Sequence, residues 1–343
     1  MVDGEPVVTE NGSVRQMATV VCVREFGPPA QAARVEQWDL PEPLPHQVRV
    51  KVLASPVNPA DLNLIEGTYA IRPPRPFVVG MEGVGIVAAC GRDVHDLAPG
   101  QWVIAPVRAG WWSTERVLDA ADLIPLPADV PRAAAAMLTV NPPTAYRMLH
   151  DFVPLAPGDW LVQNGANSAV GRAVIQIARH CGWRTVNVVR RPELIAELQA
   201  LGADVVVTGE TPLSRQIRDL TGGAELRLGL NAVGGESARQ LAKSLAPHGT
   251  LVTYGAMARE PLTVDNRALI FQDIRFRGFW VSDWFRQASR PQITEMFAAL
   301  LSLVRAGRLA PPVAGTYPLT AAREAVGHAA QSSRTGKILF VMD

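Results

Sequence analysis

Cysteine is scarce and scattered. Cys22, Cys90 and Cys181 are the only three in 343 residues. An odd, widely spaced set excludes a disulfide framework and a four-thiolate zinc lobe. It fits a reducing compartment, expected here to be the cytoplasm. Neither sign of charge is in excess: 33 Lys and Arg against 32 Asp and Glu leave a net +1. No basic field exists to hold nucleic acid. No run of about 18 apolar residues occurs, which argues against a membrane-spanning helix and a membrane partner. The histidines His46, His95, His150, His180, His248 and His328 form no ligand-spaced pair, so surface or capping positions are expected for them. Residues 1–17 lack a signal peptide's apolar run and a transit peptide's arginine-rich, acid-poor make-up. They are expected to form a flexible tail, with Met17 an alternative start.

What is present is material for two domains, with 48% hydrophobic and 19% charged residues. From Ala18 to about Leu138 short apolar or alternating runs (Val48–Leu53, Gly83–Ala89, Trp102–Ala105) are separated by Pro- and Gly-rich turns such as Pro41-Glu-Pro-Leu-Pro45. That pattern predicts a compact β-barrel. Near Val140 the pattern changes to alternating strand and helix. The predicted strands are Trp160–Asn164, Thr185–Val189, Asp204–Thr208, Arg227–Ala232, Thr250–Gly255 and Ile274–Gly278. Repeated β-α units imply a doubly wound parallel sheet. A helix over about Gln292–Ala306 closes this part, and Lys337–Val341 reads as a terminal strand returning to the barrel. The expected domains are 18–139 with 308–343, and 140–307 inserted between them, with a ligand cleft where they meet.

The most informative stretch is Leu161-Val-Gln-Asn-Gly-Ala-Asn-Ser-Ala-Val-Gly-Arg-Ala-Val-Ile-Gln-Ile-Ala178. An apolar strand passes through a small-residue turn into an amphipathic helix, with Val170, Val174, Ile177 and Cys181 on one face and Arg172 and Arg179 off it. Such a helix start suits a pyrophosphate, because its N–H groups and its positive end face the turn. About twenty residues on, Arg190 and Arg191 stand where an acidic residue would bind an adenosine ribose hydroxyl. Two guanidinium groups suit a 2′-phosphate, and so NADPH over NADH; a solvated pair beside Glu193 is the other reading. Two later turns, Tyr254-Gly255-Ala256-Met257 and Phe279-Trp280-Val281-Ser282, follow strand ends and are candidates for the nicotinamide half. Trp280, Trp284 and Phe285 either wall an acyl pocket or are ordinary core aromatics.

Beyond these local readings, the chain resembles the zinc-independent medium-chain dehydrogenase/reductases, and among them the mitochondrial-type trans-2-enoyl thioester reductases. The resemblance rests on Val57-Asn-Pro-Ala-Asp-Leu-Asn63, Gly67-Thr-Tyr69, Asn141-Pro-Pro-Thr-Ala-Tyr-Arg-Met148, the run from Gln163 to Ala178, and Val186-Asn-Val-Val-Arg190. It continues through Asn231-Ala-Val-Gly-Gly235, Val252-Thr-Tyr-Gly-Ala-Met257 and Arg277-Gly-Phe-Trp-Val-Ser282. The Asn-Gly-Ala-Asn-Ser-x-Val-Gly run with Gly-Phe-Trp is fairly specific to enoyl reductases. The Asn-Pro-x-Asp and Gly-x-Tyr elements are shared with quinone oxidoreductases.

The resemblance implies an α/β chain in which a GroES-like β-barrel catalytic domain carries an inserted Rossmann domain. It implies NADPH-dependent reduction of enoyl-CoA or enoyl carrier-protein thioesters in fatty-acid metabolism, by a homodimer. Tyr69 matches the family's catalytic tyrosine, although a tyrosine in such a turn is also often a pocket cover. Asn141 matches a contact near the nicotinamide ribose or carboxamide, Asn167, Ser168, Ala169 and Val170 match the pyrophosphate turn, and Lys337 matches a lysine near the cofactor phosphates. Ala169 departs from a glycine common in this turn, and Arg72 and Arg75 have no clear counterpart; they either hold a carrier's phosphates or are exposed. Zinc-dependent relatives carry Gly-His-Glu where this chain has Gly80-Met81-Glu82, and no cysteine lies in Ala54–Asp61. Methionine does not replace the imidazole, so no catalytic zinc is expected. The competing readings are a quinone or enone oxidoreductase and a non-catalytic NADPH-binding protein.

Overall fold

Alternation places the barrel core. In the strand Gln47–Pro56, Val48, Val50 and Val52 point inward while Arg49 and Lys51 do not, the period expected of a strand with one wet face. It pairs antiparallel with Val84–Cys90, Glu115–Asp119 and Lys337–Val341 in a seven-stranded sheet. Gly83 is glycine because the Trp111 side chain lies on it, where a Cβ would sit 2.8 Å from the indole, and Gly85 because a Cβ would collide with Val50 Cγ1. Trp112, also buried, donates its indole N–H to the Pro56 carbonyl at 3.1 Å. The structure is a computed structural model describing residues 16–105, 109–209, 212–331 and 334–342. It forms two compact units, Met1–Val140 with Pro311–Asp343, and Asn141–Ala310. Residues 1–15 of the expected tail lie outside the described residues, whereas Met17 opens a strand, Met17–Val23, and pairs with Asp39.

Three buried ionisable groups meet inside the first unit. The Asp61 carboxylate accepts the N–H of Asn58 at 2.8 Å and of Met81 at 2.9 Å. Glu82 accepts the Asn58 side-chain amide at 2.9 Å and the N–H groups of Thr139 and Val140 at 3.0 and 2.9 Å. The Lys337 ammonium donates to Asn58 Oδ1. Burial pushes the Asp61 carboxyl up to about 7 and pulls the Lys337 ammonium down to about 8. Folded Asp61 therefore holds its proton more tightly than the unfolded chain, whose ordinary value is 3.8. Its contribution to stability is full below that value and is lost as pH rises through about 7. Urea midpoints should fall over this window, and Asp61→Asn should flatten the slope; an unchanged slope would contradict the assignment.

In the second unit Trp160–Asn164 (β1), Arg184–Val188 (β2), Val205–Val207 (β3), Leu226–Asn231 (β4), Thr250–Thr253 (β5) and Arg275–Gly278 (β6) form one parallel sheet. Its order is β3-β2-β1-β4-β5-β6, the order of doubly wound dinucleotide folds. The expected strand Thr250–Gly255 ends early, at Thr253, because the chain turns back there. The N–H groups of Met257 and Ala258 bind the carbonyls of Ala232 and Val233. Buried amides line the carboxyl ends of the strands. Gln163 donates to Asn187 Oδ1 at 2.7 Å, Asn164 to Asn231 Oδ1 at 2.9 Å, and Asn231 to Thr253 Oγ1 at 3.1 Å. The helices that flank the strand ends include Asn141–Asp151 (α1), Ala169–Cys181 (α2), Ile195–Leu201 (α3) and Val281–Gln287 (α4). The helix expected over Gln292–Ala306 spans Arg290–Arg305, with Ser289 and Gln292 forming a capping box.

Candidate dinucleotide site

β1 runs into Gly165, whose φ of +59° belongs to the left-handed region that glycine alone enters freely. The Ser168 N–H returns to the Gly165 carbonyl at 2.9 Å. Ser168 then caps α2, its Oγ accepting the Gly171 N–H at 3.1 Å. Gly171 sits where a Cβ would lie 2.5 Å from the Ala166 carbonyl oxygen, so only glycine lets the helix start press against the turn. Asn167, Ser168, Ala169 and Val170 thus form one small-residue loop and helix start at the point where the strand order reverses. The Ala169 methyl is accommodated as the first helical residue.

Arg190 follows β2 and is exposed; Arg191 is half-buried, with Nε 3.7 Å from Glu193. The Arg191 Nη2 is buried and has no hydrogen-bond partner among the described residues. An orphaned guanidinium donor is costly unless a ligand answers it. This donor fits a 2′-phosphate. The Tyr254 hydroxyl is buried, which raises its pKa, and it faces the Ser168 side chain without closing a hydrogen bond of ordinary geometry. A Cβ on Gly255 would approach the Ala232 carbonyl at 2.8 Å, and Ala256 and Met257 are exposed. Asn141 is buried at the first position of α1.

Several expected contacts are placed otherwise. Val281 and Ser282 are not loop residues but the buried first turn of α4; the Ser282 Oγ has no partner among the described residues. Phe279 and Trp280 are half-buried and, with Trp284, line a cavity of about 350 Å³. Arg275, Arg277, Asp151 and Asp283 also line it, and four charged side chains make a poor wall for an acyl chain. Phe285 does not line it; its ring stacks on Phe297 at 6.1 Å inside the unit. Lys337 is corrected most clearly. It is buried, and its ammonium is engaged by Asn58 with Glu82 and Asp61 near, so it is a structural countercharge rather than a phosphate contact.

In the first unit Tyr69 follows the helix Pro59–Glu66, which ends at Gly67 with φ +75°. Tyr69 is half-buried, and its N–H binds the Asn63 carbonyl at 3.1 Å. Arg72 Nε donates to the Gly67 carbonyl at 2.8 Å, and Arg75 stacks 4.8 Å over the Phe26 ring. Both arginines are exposed at the surface yet tied locally.

Sequence reasoning missed Arg172. Helical periodicity puts it off the apolar face, but it is buried, with Nη2 2.7 Å from Glu197 Oε1. The signal was present: a cation in the first turns of a helix opposes the macrodipole and implies a partner.

Comparison with known proteins agrees with this architecture. Residues 44–128 match the family described as alcohol dehydrogenase GroES-like domain, and residues 169–302 the family described as zinc-binding dehydrogenase. The mitochondrial enoyl-[acyl-carrier-protein] reductase of Xenopus tropicalis is 44% identical over 321 residues, covering 91% of this chain and 90% of the relative. The human enzyme of that name is 45% identical over 302 residues, covering 85% and 80%. The solved complex of Etr1p with NADP and crotonyl-CoA superposes with a TM-score of 0.88 at 29% identity, covering 95% of this chain and 100% of that one. The chain belongs to the medium-chain dehydrogenase/reductase superfamily and, within it, to the mitochondrial-type enoyl thioester reductases. The expected cytoplasmic location is thereby corrected, since the curated relatives are named mitochondrial. Cysteine usage excludes only an oxidising compartment and does not choose among reducing ones.

Proposed function

We propose that this chain reduces the C2=C3 double bond of trans-2-enoyl thioesters, carried on coenzyme A or acyl carrier protein, with NADPH. The observation that carries the reading is the glycine-tight helix start at Ser168–Gly171 together with the buried Arg191 Nη2 after the next strand, which has no partner among the described residues. NADPH, when bound, supplies a hydride to C3. The turn Asn167–Val170 and the N-terminus of α2 would hold the pyrophosphate, Arg190 and Arg191 the 2′-phosphate, and Asn141 with Tyr254–Met257 the nicotinamide half. Tyr69 would either donate a hydrogen bond to the thioester oxygen as negative charge gathers there or supply the proton that C2 takes up. Consumption of NADPH with crotonyl-CoA but not with quinones is the expected result. The reverse preference would make the chain a quinone reductase.

The same reading extends to assembly as a homodimer. β6 lies at the edge of its sheet, and the residues leading into it, Leu269, Ile270 and Phe271, are exposed by 47%, 69% and 78%. An open edge flanked by exposed apolar side chains favours antiparallel pairing with a second copy about a two-fold axis. Light scattering should give a dimer for the native chain and a monomer for Ile270→Glu/Phe271→Glu. A monomeric native chain would end this part of the proposal.

A further inference from the structure

We infer that Arg172 and Glu197 are positioning residues that join the pyrophosphate turn to the 2′-phosphate arginines, and that this brace sets the preference for NADPH. The inference rests on the cofactor reading above and concerns residues which that reading leaves unused. Arg172 is the fourth residue of α2, where a positive charge is unfavourable unless something draws it in. Its side chain is 8% exposed. Nε donates to the Asn167 carbonyl at 3.1 Å, and the N–H of the same peptide, on Ser168, donates to Gly165 at 2.9 Å. That peptide plane is therefore clamped at both ends, which fixes the N–H groups that follow it at the helix start. The other arm, Nη2, meets Glu197 Oε1 at 2.7 Å. Glu197 lies in the first turn of α3, six residues after Arg191 and separated from it by the short turn Pro192–Leu194. Glu193 is the carboxylate nearest Arg191.

One guanidinium thus joins the turn before α2 to the first turn of α3, which follows the loop bearing Arg190 and Arg191, and these two segments would grip opposite ends of the adenosine half of the cofactor. Lysine, with a single ammonium, does not hold a carbonyl and a carboxylate in this fork. Loss of the Glu197 arm frees the segment bearing Arg190 and Arg191 while leaving the pyrophosphate turn capped by Ser168. The consequence falls on the 2′-phosphate, which NADH lacks.

The test compares NADPH and NADH affinities by fluorescence titration of the full-length protein. Glu197 is 41% exposed on its side chain, so Glu197→Gln preserves the fold, which the thermal midpoint without cofactor checks. The expected result is roughly tenfold weaker NADPH binding, the size of one networked charge pair, with NADH changed less than about twofold. Glu197→Gln combined with Arg191→Ala should weaken NADPH little more than Arg191→Ala alone, because both act on one contact. Arg172→Lys should likewise lower the NADPH preference. Equal losses for both nucleotides, or additive effects in the double variant, overturn the brace. If Arg191→Ala weakens NADPH and Glu197→Gln does nothing, the brace falls and the cofactor reading stands. If Arg191→Ala has no effect, both fall.

Discussion

Tyr69→Phe is expected to lower kcat by ~10²–10⁴, the range for losing a positioned acid, while the Kd for NADPH stays within about twofold, since the ring is kept and only a hydroxyl is lost. The substitution is mild structurally. The turn is set by Gly67 in the left-handed region and by the Asn63 carbonyl that receives the Tyr69 N–H, and none of these contacts uses the phenol oxygen. An effect on turnover alone places the hydroxyl at the reacting carbonyl. Stopped-flow absorbance of the nicotinamide gives the rate, and fluorescence titration gives the affinity. Equal losses in both would assign Tyr69 to binding.

Arg190→Ala/Arg191→Ala is expected to weaken NADPH binding roughly 10- to 100-fold, as charge-assisted hydrogen bonds contribute about 1.5–3 kcal/mol each. NADH binding should change little. Arg191 should account for more of the loss than Arg190, because its Nη2 is buried without a partner among the described residues while Arg190 is exposed. Titration of each single variant with both nucleotides checks the order. A parallel loss for NADH would remove the 2′-phosphate from the account.

The parts legible in the sequence are those governed by period and turn chemistry. The apolar runs of the parallel sheet, the small-residue turn before α2 and the alternation of Val48, Val50 and Val52 each carry a local rule that the fold obeys. The parts not legible depend on which way a side chain bends. Lys337 stands before Ile338-Leu-Phe-Val341 and reads as a basic residue at a strand end, yet its ammonium is drawn inward by Asn58 and two buried carboxylates. Arg172 lies off the apolar face by helical periodicity, but its long stem carries the guanidinium back over the turn. Phe285 follows a tryptophan pair suggestive of a pocket, and faces Phe297 instead because α4 begins at Val281. In each case the outcome is set by a partner that only the folded chain brings up: Asn58 for Lys337, Glu197 for Arg172 and Phe297 for Phe285.

The side-chain amides of β2, β1 and β4, with the Thr253 hydroxyl of β5, fix the register of the sheet. With valine and leucine on both faces, a parallel strand displaced by two residues would bury nearly the same hydrocarbon. Gln163, Asn164, Asn187 and Asn231 accept no such displacement, since each would lose a buried partner. Alignment of the strands is thus specified by polar contacts at their tips rather than by grease. The turns at Gly165–Gly171 and Tyr254–Met257 therefore spring from strand ends whose relative height is already set, and their glycines need only complete the local geometry.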